Sequence, residues 1–81
     1  MLTELSNKAK VVGAKQVRRA VENGSAQKVF LAADADPRVT EPISELCAQL
    51  GVAVETVPSM KELGRACGIA VGAAVTALLQ S

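Results

Sequence analysis

GAKQVRR, Gly13 to Arg19, holds the side chains of this 81-residue chain best suited to gripping a ligand. A glycine opens the stretch, and Lys15, Arg18 and Arg19 follow it closely. A helix beginning here offers unsatisfied backbone N–H groups and the positive end of its dipole, together an anion site. Lys15 and Arg19, at i and i+4, put two cations on one flank. Gln16 adds an amide able both to donate to and to accept from a base edge. Phosphate contacts that fix register, beside a side chain that reads bases, are the usual division of labour on nucleic acid. The competing reading is a solvated charged face.

Other chemistries find less support. The chain has no His, which removes His-based triads and imidazole metal ligands, and Cys47 and Cys67 show no Cys-x-x-Cys spacing. Each cysteine sits on an apolar helix face, where a free thiol packs as a small hydrophobe. Asp34 and Asp36, in DADP, suit a turn better than an acid–base or magnesium pair. The glycines form neither Gly-x-Gly-x-x-Gly nor the Walker pattern. Phe30 is the sole aromatic residue, so a stacking platform of the RNA-recognition-motif or OB type is excluded. No enzyme, cofactor or metal is expected. A nucleic-acid site must then combine helix insertion with aliphatic contacts. GIAVG, Gly68–Gly72, with Ile69 and Val71, is a candidate for the aliphatic part, although the pattern also fits two core side chains.

The net charge is only +1, but it is unevenly spread. Residues 1–28 carry six cations against two carboxylates, and residues 29–81 carry three against six. A basic face on a neutral protein points to a local anionic partner rather than to indiscriminate polyanion binding. The longest apolar stretch, Ile69 to Leu79, is far short of the ~20 residues that span a bilayer. With no signal-peptide pattern, the expectation is a soluble cytoplasmic protein with reduced thiols.

Positioning these residues falls to a single domain, 1–81, whose 49% apolar share suffices for a small core. Leu2, Leu5 and Ala9 predict a short amphipathic first helix. Val11 and Val12 lead into a break at Gly13. Ala14 to Asn23 follows as a helix with Val17, Ala20 and Val21 inward and the basic residues outward. KVFLAAD reads as a strand covered on both faces. A helix capped by Thr40, with Pro42 in its first turn, runs to Gly51, and VAVETV is a second interior strand. Ser59 and Glu62 form a capping box for SMKELGRACG, with Met60, Leu63 and Cys67 inward. Ile69 to Leu79 suits a strand better than a helix. Such alternation predicts an α/β sandwich with helices on both faces of a small sheet.

Taken together, GAKQVRRAVENG, VFLAADADP and VPSMKELGRACGIAVGAA resemble the L7Ae/L30e family of ribosomal and kink-turn RNA-binding proteins, in particular its small bacterial members. The resemblance covers nearly the whole chain, in order and at family spacing. It implies a three-layer α-β-α sandwich around a small mixed sheet. It also implies a ribosomal-protein-like monomer that binds kink-turns in ribosomal or structured regulatory RNA. By that likeness Gly13 and Ala14 bring backbone to the RNA, Lys15 and Gln16 meet guanine edges and phosphates, and Arg19 holds the backbone. Ile69, Ala70 and Val71 form an apolar loop over a flipped-out nucleotide, and Asp36 holds or contacts the same region. Lys15-Gln16 stands where the archaeal and eukaryotic pattern has Asn-Glu, and Ala70 where Glu is frequent. A neutral Gln16 is a weaker acceptor for a guanine N–H, and Lys15 makes binding more salt-sensitive. The alternative is a protein-interaction module of the same fold whose basic face meets an acidic partner.

Overall fold

The computed structural model describes residues 9–80; of the helix predicted through Leu2, Leu5 and Ala9, Ala9 alone falls within them, and it is not helical. The elements are β1 (Lys10–Val12), α1 (Ala14–Glu22), β2 (Ala26–Ala32), α2 (Pro37–Leu50), β3 (Ala53–Val57), α3 (Met60–Ala66) and β4 (Val75–Leu79). The sheet order is β1-β4-β2-β3. β4 pairs antiparallel with β1 and β2, and β2 pairs parallel with β3, so the sheet is mixed.

Side-chain alternation along the two central strands builds the layers. Val29 and Leu31 of β2, with Val75 and Ala77 of β4, meet Val17, Ala20 and Val21 of α1 and Ile43 and Cys47 of α2. Phe30 and Ala32, with Leu78, face the other way onto Leu63 and Cys67 of α3. Two helices therefore cover one face and α3 the other, the α-β-α sandwich expected. A buried contact of 3.3 Å joins Cys67 Sγ to Thr76 Oγ1, which gives the one buried polar side chain of the described core a partner.

Several local readings are corrected. Val11 and Val12 belong to a strand, paired with Ala77 and Thr76, and three residues are too few to show a period. α2 starts at Pro37, not after Thr40: Asp36 is its cap, and Pro37 takes the first position, where no N–H is needed. Pro42 is consequently inside the helix, on an exposed stretch where the bond it forgoes costs least. β3 is an edge strand, with Ala53, Val54 and Thr56 exposed and half-buried Glu55 paired to Lys28 at 2.7 Å. The final strand begins only at Val75, so residues 68–74 form a loop. Met60, expected inward on α3, is exposed, whereas Leu63 and Cys67 are buried.

Candidate nucleic-acid interface

β1, β2 and β3 all run in one direction, because β1 and β2 both oppose β4 and β3 parallels β2. The helix after each of them therefore starts at the same end of the sheet, with its positive dipole end there. The 68–74 loop enters β4 at that end too. The topology thus gathers three helix entrances and one loop on a single edge of the molecule.

At the α1 entrance Gly13 adopts φ 104° and ψ 148°, a backbone region essentially restricted to glycine. Its N–H donates to the Val75 carbonyl at 3.1 Å, and its own carbonyl accepts from the Val17 N–H at 2.9 Å. No side chain caps α1, and its first turn holds no acid. By contrast, the Asp36 carboxylate caps α2, accepting from the Arg38 N–H at 2.9 Å. The Ser59 hydroxyl caps α3, accepting from the Glu62 N–H at 3.1 Å. α1 is thus the uncapped helix among the three described, and Lys15, Arg18 and Arg19 gather within its first six residues. Lys15, Gln16, Arg18 and Arg19 are exposed, while Val17, Ala20 and Val21 are buried behind them. Arg18 reaches Glu22 at 3.5 Å, both side chains largely exposed, a pairing of little strength.

Ile69, Ala70 and Val71 are exposed, Val71 by 71%, so the apolar segment is not core. Its path is nevertheless fixed. Gly68 and Ile69 N–H donate to the Arg65 and Gly64 carbonyls, and Ala73 N–H to the Met60 carbonyl, each at 3.0 Å. The loop packs so closely on α3 that a Cβ at Gly64 would collide with the Val71 carbonyl oxygen. Further on, the Ala74 carbonyl accepts from Ala32 of β2 at 2.9 Å.

Asp34, read in the sequence as a turn former, is a positioning residue: its Oδ1 accepts from the Met60 N–H at 2.8 Å and so anchors the start of α3. The partners lie 26 residues apart, and no local pattern signals the bond. Asp36, expected at the RNA or behind it, is engaged within the chain. Arg38 donates to it through Nε at 3.0 and 3.2 Å and through Nη2 at 2.7 Å. That guanidinium, and then the Arg38 backbone N–H, hold the Asp36 carboxyl below its ordinary range. Beside this pair a groove of about 330 Å³ separates the N-terminal ends of α1 and α2. Ala14, Lys15 and Arg18 line one side, and Arg38, Val39, Pro42 and Ile43 the other. Arg18 belongs to the basic stretch read from the sequence, whereas Arg38 entered no expectation about the site. A lone arginine in a turn carries no signal until its neighbour across the fold is known.

The cysteines take no part. Both are free and buried, and burial raises the Cys47 thiol pKa, the opposite of what a reactive thiolate needs.

The profile of the ribosomal protein L7Ae/L30e/S12e/Gadd45 family matches residues 2–81 of this chain. An RNA-binding protein of Caldanaerobacter subterraneus subsp. tengcongensis is 47% identical over 68 residues, which span 84% of this chain and 83% of that one. RNA-binding protein YbxF of Geobacillus stearothermophilus is 44% identical over 70 residues, spanning 86% and 85% respectively. Among solved structures, the Giardia lamblia 15.5kD RNA binding protein superposes with a TM-score of 0.89 at 29% identity, covering 99% of this chain and 68% of that one. A protein of unknown function from Bacillus halodurans superposes with a TM-score of 0.88 at 27% identity, covering 99% and 84%.

Proposed function

The chain belongs to the ribosomal protein L7Ae/L30e/S12e/Gadd45 family, and on that premise we propose that it is a non-catalytic RNA-binding protein that recognises kink-turns. A kink-turn is a sharply bent duplex whose internal loop carries tandem sheared G·A pairs. The entrance of α1 inserts into the groove widened at those pairs. Gly13 and Ala14 bring backbone to the RNA, Lys15 and Gln16 meet guanine edges and phosphates, and Arg19 grips the strand. Ile69, Ala70 and Val71 cover the nucleotide turned out of the stack.

One observation carries this reading: an uncapped, cation-flanked helix entrance shares an end of the sheet with an exposed apolar loop. The first element suits a phosphate backbone, and the second suits an unstacked base. Phe30 is buried in the core, so aliphatic side chains rather than aromatic ones must cover that base. RNA as the ligand class is further supported by relatives whose names carry it. Binding the bent form better than the extended one shifts the RNA population, and that differential affinity is the whole mechanism.

Fluorescence energy transfer between dyes on the two helical arms tests this directly. Adding protein at low magnesium should bring the arms together. If transfer does not change although the protein binds, the bending role is wrong. A module that recognises an acidic protein would leave the RNA arms apart.

A further inference from the structure

The groove between the entrances of α1 and α2 carries more charge than the proposed contacts use. Lys15 and Arg18 stand on one side and Arg38 on the other, over an apolar floor that includes Val39 and Ile43. Asp36 fixes the plane of the Arg38 guanidinium by gripping Nε and Nη2. Nη1, with its two N–H donors, has no partner among the described residues. We propose that this groove seats a backbone phosphate of the bound RNA, beyond the phosphates held at the α1 entrance, and that Arg38 contacts it with Asp36 as positioning residue. This inference rests on the RNA-binding reading above.

Three features favour an RNA phosphate as the occupant. Arginine offers a planar fork of donors matched to phosphate oxygens, and a carboxylate that holds one edge leaves the rest oriented. The apolar floor suits the carbon face of a ribose, which inorganic phosphate lacks. The groove adjoins Lys15, so a strand at the helix entrance reaches it without a break. The nearby carboxylates leave the groove open: Glu22 meets Arg18 at 3.5 Å with both side chains largely exposed, a weak hold, and Asp36 occupies only Nε and Nη2 of Arg38.

The decisive variant is the double substitution Asp36→Asn with Arg38→Ala. It leaves the net charge unchanged, and Asn keeps the helix cap. Titrations against a kink-turn RNA over a range of potassium chloride should show affinity about fivefold weaker and a salt slope lower by about 1. Wild-type affinity and slope in the double variant would overturn the proposal. So would a loss seen in Arg38→Ala alone and restored in the double variant, since the exposed Asp36 charge would then explain it. Pro42→Glu, which puts a carboxylate at the groove one helical turn from Arg38, should weaken binding in the same direction, and no effect counts against the seat. Weaker binding to a polyglutamate peptide with RNA binding unchanged would assign the groove to an acidic protein and overturn it too. If wild-type protein prefers kink-turn to straight RNA and the double variant binds the kink-turn with wild-type affinity and salt slope, the groove alone fails. If wild-type protein shows no such preference, the functional reading fails first.

Discussion

The Gly13 N–H donates to the Val75 carbonyl across 3.1 Å, and this bond ties the entrance of α1 to the strand that the apolar loop feeds. The two halves of the interface come from segments more than fifty residues apart in sequence. Both are referenced to the first residues of β4, which is central in the sheet. A helix entrance and a loop fixed to one rigid strand need little ordering when the ligand arrives, which preserves affinity.

Lys15 and Arg19 lie outside the α1 core contacts, so replacing both with Ala should leave stability within about 0.5 kcal/mol of wild type. Affinity for kink-turn RNA should fall at least tenfold, with a salt slope lower by about 2. Thermal melting and salt-dependent titration read the two effects separately. Unchanged affinity would remove the helix from the site.

Ile69 is exposed enough to accept a charge without unfolding the protein. Ile69→Asp should weaken binding to the kink-turn more than to a straight duplex, because only the former presents an unstacked base to the loop. Equal losses on both RNAs would mean that charge repulsion, not base contact, explains the effect.

Gly64→Ala sets two effects against each other. Ala stabilises a helix interior by up to ~1 kcal/mol over Gly. The new methyl, however, meets the Val71 carbonyl, a backbone atom that cannot swing aside. Overpacking of this kind costs about 1–3 kcal/mol. The clash should win, lowering the melting temperature and, by shifting residues 69–71, weakening kink-turn binding. A melting temperature at or above wild type would show that the loop is not held as described.

Asp36 sets a pH dependence. Its carboxyl is held below its ordinary value of 3.8 by the Arg38 side chain and backbone N–H. A depressed folded-state pKa stabilises the fold above the unfolded value and loses that contribution as pH falls through the folded one. Wild type should therefore exceed Asp36→Asn in melting temperature at neutral pH, with the gap closing below pH 3.8. The pair lies at the surface, with 89% of the Arg38 side chain and 42% of the Asp36 side chain exposed, so the gap should be small and should shrink with salt. A gap independent of pH would assign the difference to something other than the charge.

Much of this architecture is legible in the residues. Val17, Ala20 and Val21 give α1 its buried face, Ser59 marks the start of α3, and the apolar run through Phe30 reads as a doubly covered strand. What escapes is non-local. β1 is a strand only because β4 lies beside it, and the apolar VAVETV is an edge only because of the strand order. Pro42 resembles a start signal, whereas Asp36 and Pro37 supply the stronger pair, cap followed by first position. At the interface, the basic entrance of α1 shows in seven consecutive residues. The Asp34–Met60 bond and the placement of Arg38 opposite Lys15 and Arg18 exist only after folding.

The central claim is recognition of the kinked form, and one titration addresses it most directly. At near-physiological salt the protein is titrated against a kink-turn RNA and against the same RNA with its tandem G·A pairs converted to Watson–Crick pairs. The account predicts a strong preference for the kink-turn, at least tenfold, since both the widened groove and the unstacked nucleotide vanish in the converted RNA. Equal, weak binding to both would contradict it and leave the α1 entrance as a basic face for some other partner.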